Sequence, residues 1–86
     1  MSKDKINEVH LRLLTVDEAS LKLDRYLNSA FMAGLCQVRV IHGKGTGTLR
    51  QVVREQLAQH PLVKSYRPGD YGEGDAGVTI VELVQR

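Results

Sequence analysis

The stretch at positions 38–50 reads VRVIHGKGTGTLR, and its pattern decides how this 86-residue chain is interpreted. A β-branched run ends at a histidine, glycines follow at alternate positions, and a segment with helical spacing begins behind them. That order predicts a buried strand, a glycine-rich loop and a helix. Alternate glycines let backbone N–H groups converge on one point, toward which the positive end of the helix also points. The stretch therefore predicts an anion site, with phosphate as the first candidate.

The residues assigned to phosphate binding surround this loop. His42 can exchange a proton near neutral pH, and Lys44 adds a mobile positive charge. The glycine spacing fits neither the Walker loop nor the dinucleotide fingerprint. A glycine-rich turn that holds no ligand is the alternative. The predicted phosphate-binding set is Gly43, Lys44, Gly45, Thr46, Gly47, Arg50 and Arg54.

Positive charge is concentrated in the middle of the chain. Residues 36–67 carry six Lys/Arg and one Asp/Glu, a net charge of +5, whereas the whole chain carries +2. Such a basic block suits a polyanion better than a small metabolite, although a solvated basic surface is the alternative. With one Phe and three Tyr, an aromatic platform for stacking bases has little support. We expect contact with a nucleic-acid backbone rather than base reading.

Composition favours a cytoplasmic protein with no membrane partner. The hydrophobic fraction of 42% and the charged fraction of 26% are ordinary for a globular domain, and no apolar run has membrane-spanning length. The first residues, MSKDKINE, lack the apolar segment of a secretion signal, and Cys36 is the single cysteine. The sequence leaves the oligomeric state open.

Hydrophobic periodicity predicts the order β-α-β-α-β-β. Strands are expected at 8–12, 35–41, 63–67 and 78–84, with one helix between a Thr15–Glu18 capping box and Gly34 and another at 49–59. The sequence therefore predicts a flexible N-terminal segment, or lead, at 1–7 and one domain at 8–86. Two strand–helix–strand units predict a parallel core with right-handed crossovers. His10 and Arg12 should then meet the 42–47 loop at the carboxyl edge of the sheet.

Four segments of the chain read TVDEA at 15–19, IHGKGTGTLR at 41–50, HPLV at 60–63 and GEGDAGVTIVEL at 72–83. Together they resemble the Smr domain, the small MutS-related module found at the C-terminus of a bacterial MutS paralogue. The likeness implies a two-layer α/β sandwich similar to the C-terminal domain of translation initiation factor three. It also implies nucleic-acid binding and nicking endonuclease activity on DNA or RNA, in DNA repair, recombination control or ribosome-associated RNA handling. The implied partners are the DNA or RNA backbone, the ribosome and a MutS-type ATPase upstream in the parent chain.

The first strand departs from the family pattern. Smr domains usually read L-D-L-R-G or L-D-L-H-G, whereas this chain has VHLRL at 9–13. Arg12 matches, but His10 replaces the acid and Leu13 replaces the glycine. Because leucine avoids glycine-only backbone conformations, we expect the turn into the first helix to differ.

Two functions follow from this departure. In the first, the domain is an endonuclease with His42, His10 and Arg12 as catalytic residues. In the second, it binds branched DNA or ribosomal RNA without cutting, because the acid is missing. No metal ligand is assigned, since two histidines favour metal-free RNA transesterification. Magnesium, the one cofactor under consideration, prefers oxygen ligands, which Glu73 or Asp75 would have to supply.

Overall fold

The computed structural model of the chain describes residues 7–44, 47–70, 72 and 77–85. The predicted order β-α-β-α-β-β is confirmed. β1 is shorter than predicted because a turn follows it, in which the Leu14 N–H donates to the Leu11 carbonyl at 3.3 Å. In chain order the elements are β1 (Glu8–His10), α1 (Val16–Met32), β2 (Gln37–Ile41), α2 (Thr48–Gln59), β3 (Val63–Pro68) and β4 (Val78–Leu83).

The sheet has the strand order β1-β2-β4-β3, so the expectation of a parallel core holds for only one strand pair. β1 and β2 are parallel, whereas β4 is antiparallel to both of its neighbours. β3 runs in the same direction as β2 but is separated from it by β4. The reason lies in β4, whose first four residues are all buried, as suits an interior strand with both edges paired.

Both helices pack on one face of the sheet, which confirms the two-layer sandwich. On α1 the buried positions Ala19, Leu23, Leu27 and Ala30 recur at helical spacing. The capping box is present, because the Glu18 N–H donates to Thr15 Oγ1 at 3.1 Å and the Thr15 N–H donates to Glu18 Oε1 at 3.0 Å. The core also contains Val9, Leu11, Val38, Val40, Val53, Leu57, Val81 and Leu83.

The other face of the sheet is here called the open face, because neither α1 nor α2 packs on it. Strand alternation places Glu8, His10, Arg39 and Ile41 on it, opposite the buried Val9, Val38 and Val40. Of the lead predicted at 1–7, residues 1–6 lie outside the described ranges, while the Asn7 carbonyl accepts a hydrogen bond from the Arg39 N–H at 2.8 Å. No helix in the described part of the chain is long and apolar enough to span a bilayer.

Candidate functional site

The loop after β2 is fixed to the beginning of β4. The N–H groups of His42 and Gly43 both donate to the Gly77 carbonyl, at 3.0 and 2.9 Å. Because the Gly43 N–H donates to this carbonyl, it is not available to bind an anion. A Cβ at Gly77 would lie 3.4 Å from Lys44 Cγ and 3.5 Å from the Gly43 backbone. Sequence reasoning did not assign Gly77 to the site, although a glycine directly before a buried strand was a usable signal.

Arg12 lies across Gly43. A Cβ on Gly43 would stand 3.1 Å from Arg12 Cγ and 3.2 Å from Arg12 Nε, and the Gly43 backbone has φ +83°. The position thus requires glycine both for its backbone conformation and for the close approach of the arginine. The parallel pairing of β1 and β2 brings the two residues together, as the sequence predicted.

Arg12 and Lys44 line one open cleft at the carboxyl edge of β1 and β2. The cleft has a volume of about 400 Å³, and its other lining residues are Ile41, Gly43, Gly77 and Val78. Among the described lining residues two side chains are positively charged and none is negatively charged, which favours an anion. Because the cleft is open, that anion can belong to a long chain that runs past the edge of the sheet.

A second hollow, of about 430 Å³, lies at the beginning of α2. Gly47 is the N-cap residue with φ +88°, and no described side chain caps the helix. Arg50 lies over Gly47, with its Nη2 3.4 Å from the position of a Gly47 Cβ. Arg50 therefore flanks the Arg12–Lys44 cleft instead of lining it, and Arg54 follows one turn later on α2. Gly45 and Thr46 lie outside the described residues.

His42 points toward the core face of the sheet, away from the cleft. Its Nδ1 lies 3.0 Å from the Gly43 carbonyl and its Nε2 lies 2.9 Å from Thr79 Oγ1. Because a carbonyl only accepts, Nδ1–H donates to it and Nε2 accepts from the Thr79 hydroxyl. His42 is 5% exposed and Thr79 is 1% exposed.

This environment favours the neutral form of the His42 ring. Burial lowers the pKa of His42 below its ordinary value of 6.5, and the charges of Arg50 and Arg54 lower it further, while the Gly43 hydrogen bond opposes them. Both ring nitrogens are hydrogen-bonded, so the ring holds the loop that follows β2 against β4. Sequence reasoning missed Thr79, because its role depends on the register of β2 against β4.

His10 lies on the open face, opposite to His42, so the structure does not bring the two histidines together. It pairs in register with Ile41, which lines the cleft. His10 Nε2–H donates to Glu8 Oε1 at 3.2 Å, and the His10 side chain is 61% exposed. Glu8 is also 3.4 Å from Arg39 Nη1. Glu8 was not predicted, although two residues in a strand separated by one position share a face.

Leu13 adopts the backbone conformation that glycine favours. Its φ is +68°, and it is the third residue of the turn closed by Leu11 and Leu14. A type II turn has positive φ at that position, which explains the glycine of the family motif. The expectation that leucine would avoid this conformation was wrong, since the turn imposes it. The Leu13 side chain is 98% exposed.

A third hollow lies away from this edge. It has a volume of about 670 Å³ between α1 and the end of α2, and Asp17, Asp24 and His60 are among its lining residues. Its carboxylates do not suit a polyanion. No group of three His, Cys, Asp or Glu side chains in the described ranges could hold a metal ion. Glu73 and Asp75 lie outside those ranges.

The family follows from the match of residues 9–84 to the model of the Smr domain. The chain is a member of the Smr domain family. Among its relatives named endonuclease MutS2, that of Caldicellulosiruptor saccharolyticus is 59% identical over 75 residues and that of Clostridium beijerinckii is 54% identical over 77 residues. These matches cover 87% and 90% of the chain. The chain spans about a tenth of the length of these curated relatives.

Solved Smr structures share the fold of this Smr domain. The crystal structure of the Smr domain of Thermus thermophilus MutS2 is 49% identical, with a TM-score of 0.88, and covers 91% of this chain and 98% of that one. The solution structure of the SMR domain of NEDD4-binding protein 2 is 25% identical with a TM-score of 0.70, over 100% of this chain and 94% of that one. The Escherichia coli protein YdaL is 24% identical with a TM-score of 0.89, over 96% and 67% of the two chains, and so supports the fold alone.

Proposed function

We propose that this Smr domain binds the sugar–phosphate backbone of nucleic acid at the carboxyl edge of β1 and β2 and cleaves a phosphodiester bond there. One observation carries the proposal: the Arg12 side chain lies across Gly43 in the cleft that Lys44 also lines. The relatives named endonuclease MutS2 support nuclease activity, because the segment that they share with this chain contains the residues of that cleft.

The arrangement of cations favours a phosphate chain over a single phosphate. Arg12 and Lys44 share one cleft, and Arg50 lies over Gly47 at the neighbouring hollow. A nucleic-acid backbone repeats its phosphates along the chain and can contact the cations of both hollows, whereas a small phosphorylated ligand fills only one. Backbone contacts position a nucleic acid without reading its sequence, so we expect binding with little sequence preference.

His10 is the group best placed to move a proton in this proposal. Glu8 accepts the Nε2 proton of His10, which leaves Nδ1 as the nitrogen that can act as a base. On RNA, Nδ1 takes the proton of the 2′-hydroxyl, the O2′–P bond forms and the P–O5′ bond breaks. The departing O5′ takes a proton from water, and the RNA strand ends in a 2′,3′-cyclic phosphate. Arg12 and Lys44 stabilise the charge on the nonbridging oxygens.

His42 acts in this proposal as a positioning residue. It holds Gly43 through its carbonyl and β4 through Thr79, so it fixes the loop over which Arg12 lies. The described lining of the cleft offers cations and no carboxylate oxygen, so it does not fit magnesium, and no step is derived through that ion.

Binding is tested by fluorescence anisotropy on duplex, branched and single-stranded DNA and RNA across a salt series. If about four phosphates are contacted, the logarithm of affinity falls against the logarithm of salt concentration with a slope of about −3 to −4. Lys44→Ala should weaken binding to every probe and reduce the slope by about one. Lys22→Ala, which removes an exposed charge on α1, is the matched control and should change neither value. A flat salt response refutes the polyanion proposal.

Cleavage is tested on matched RNA and DNA with and without a chelator. RNA cleavage should persist in chelator, fail on a substrate without the 2′-hydroxyl and fall by at least about a hundredfold in His10→Ala. Glu8→Gln should lower the rate of cleavage, because the carboxylate that accepts the Nε2 proton of His10 and orients its ring is lost. Cleavage that requires magnesium and ignores His10 contradicts this mechanism.

The second candidate function is binding without cleavage. The observation in its favour is that position 10 carries histidine where Smr domains carry an acid. The wild type would then bind in the salt series and leave every substrate intact, while His10→Asp with Leu13→Gly would create magnesium-dependent nicking. In either case we place the domain in the cytoplasm, as the nucleic-acid-contacting part of a longer protein with a MutS-type ATPase. Preference for branched DNA would indicate repair or recombination, and preference for ribosomal RNA would indicate ribosome-associated handling.

A further inference from the structure

The chain contains three histidines, and the structure places one of them where it can reach a bound strand. His42 points toward the core face, with both ring nitrogens hydrogen-bonded. His60 lies in the hollow between α1 and α2, where both of its ring nitrogens are also hydrogen-bonded, with Nε2–H donating to Asp24 Oδ1 at 2.9 Å. His10 is exposed on the open face and pairs in register with Ile41, which lines the cleft. One histidine therefore carries the proton transfer at this edge of the sheet.

The proposed cleavage leaves its proton on His10. The ring takes that proton at Nδ1, while Glu8 Oε1 accepts the Nε2 proton at 3.2 Å and Glu8 Oε2 lies 3.4 Å from Arg39 Nη1. The Glu8 side chain is 9% exposed, so its two partners hold it in place and it fixes the orientation of the imidazole. The proton taken from the 2′-hydroxyl is thus held next to the oxygen from which it came.

The cyclic phosphate made by this cleavage has two fates, which are hydrolysis and return to the intact strand. Fast hydrolysis requires a base that takes a proton from water on the side of the phosphorus that O5′ left. His42 is the second histidine that the sequence offered for this task, and its position on the core face keeps it from that side. The cyclic end should therefore persist.

Both ends of the cut strand have cations to bind them. Arg12 and Lys44 line the cleft for the cyclic phosphate, and Arg50 lies over Gly47 at the neighbouring hollow, where it can contact a phosphate of the departing strand. A hydroxyl that is held beside the phosphorus reacts at an effective concentration far above that of a free one. Retention of both ends therefore favours return to the intact strand.

We propose that the domain rejoins the RNA strand that it cuts, by direct reversal of the transesterification. The 5′-hydroxyl gives its proton to solvent hydroxide, its oxygen attacks the phosphorus, the P–O2′ bond breaks and O2′ takes the proton from His10 Nδ1. One phosphate ester bond replaces another, so no further reactant is consumed. The inference rests on the proposed function and adds a second activity to the same site. Its substrate is an RNA end with a 2′,3′-cyclic phosphate, held beside a 5′-hydroxyl end.

The experiment uses two RNA strands annealed to one complementary splint, the first ending in a 2′,3′-cyclic phosphate and the second beginning with a 5′-hydroxyl. The splint leaves the nucleotide at the joint unpaired, so that its 2′-oxygen can reach the in-line position. With a chelator present, wild-type protein should produce a joined strand on a denaturing gel. The intact strand on the same splint should be cut until it reaches the same ratio of joined to cut RNA, because a catalyst does not change an equilibrium.

The chemistry of the ends gives the first control. A first strand that ends in a linear 3′-monophosphate should not be joined, because it has no P–O2′ bond to break. Mass spectrometry of the cut RNA should show the cyclic phosphate as the accumulating end, with the mass of one water less than the monophosphate.

Substitutions identify the group that moves the proton. His10→Ala should slow cutting and joining by the same factor, at least about a hundredfold, because one imidazole serves both directions. Added imidazole should restore part of both rates, which it would not do if His10 were only structural. His60→Gln, which replaces a histidine of the hollow between α1 and α2, is the matched control and should change neither rate.

The outcomes distinguish this inference from the function on which it rests. Splinted ends that stay unjoined while the intact strand is cut overturn the rejoining and leave cleavage in place. Cut ends that are already monophosphates in the first turnover do the same. A protein that binds the strands in the salt series but neither cuts nor joins them overturns cleavage and rejoining together. Absence of salt-dependent binding to every strand overturns the proposed function as a whole.

Discussion

Replacing Leu13 by glycine is expected to stabilise the domain. A leucine in the left-handed region costs about 1–2 kcal/mol relative to a relaxed backbone. Substitution by glycine removes this cost but destabilises the folded state by about 0.5–1 kcal/mol, because the glycine backbone loses more conformational entropy on folding. The side chain is 98% exposed, so its removal sacrifices almost no burial. The expected net increase in the free energy of unfolding is therefore about 0.5–1 kcal/mol.

The increase is measured by urea denaturation and thermal unfolding of wild type, Leu13→Gly and Leu13→Ala. For a domain of this size, the melting temperature should rise by roughly 2–8 °C in Leu13→Gly. Leu13→Ala keeps the Cβ and therefore the strain, so its stability should equal that of wild type. A Leu13→Gly protein no more stable than wild type refutes the reasoning. Equal gains in the two variants would also refute it, because side-chain exposure rather than backbone strain would then be the cost.

Three further results are expected. Because the folded-state pKa of His42 is below its ordinary value of 6.5, the unfolded chain binds the extra proton first, and wild type should lose stability relative to His42→Gln as pH falls below 6.5. The difference between the two unfolding free energies should change by at most about 1.4 kcal/mol per pH unit, measured by urea titrations at several pH values. Gly43→Ala should reduce affinity in the anisotropy assay, since its Cβ would lie 3.1 Å from Arg12 Cγ and its φ is +83°. Thr15→Ala should lower the free energy of unfolding by about 1 kcal/mol through loss of the α1 cap, and a circular dichroism melt unchanged from wild type would contradict this.

Local patterns predicted most of the fold. The capping box at Thr15 and the helical spacing of α1 each depend on residues close in sequence, and each is present in the structure. In the loop after β2, the described glycines Gly43 and Gly47 both have positive φ. The meeting of Arg12 with the loop was also predicted, because it follows from the parallel pairing of β1 with β2. The interior position of β4 was not, since it depends on pairings with two strands distant in sequence.

The orientation of His42 could have been predicted and was not. Val38 and Val40 are buried, so strand alternation assigns His42 to the same core face. The proton chemistry of the imidazole favoured a position in the cleft instead. Its partner Thr79 could not be predicted from the sequence, because the hydrogen bond depends on the register of β2 against β4. Glu8 was not predicted, because the family motif begins one residue later, at Val9.

The interior position of β4 has a consequence for how the domain is made. β4 is the last of the six elements to leave the ribosome, yet it supplies the shared edge for both β2 and β3. Until Val78–Leu83 emerges, β2 is paired on one side only and β3 has no strand beside it. Gly77, on which the loop of the cleft is anchored, arrives with the same segment. A nascent chain halted before this point therefore contains Arg12, Gly43 and Lys44 but lacks Gly77 and Val78, so the sheet and the proposed nucleic-acid cleft are completed in one step.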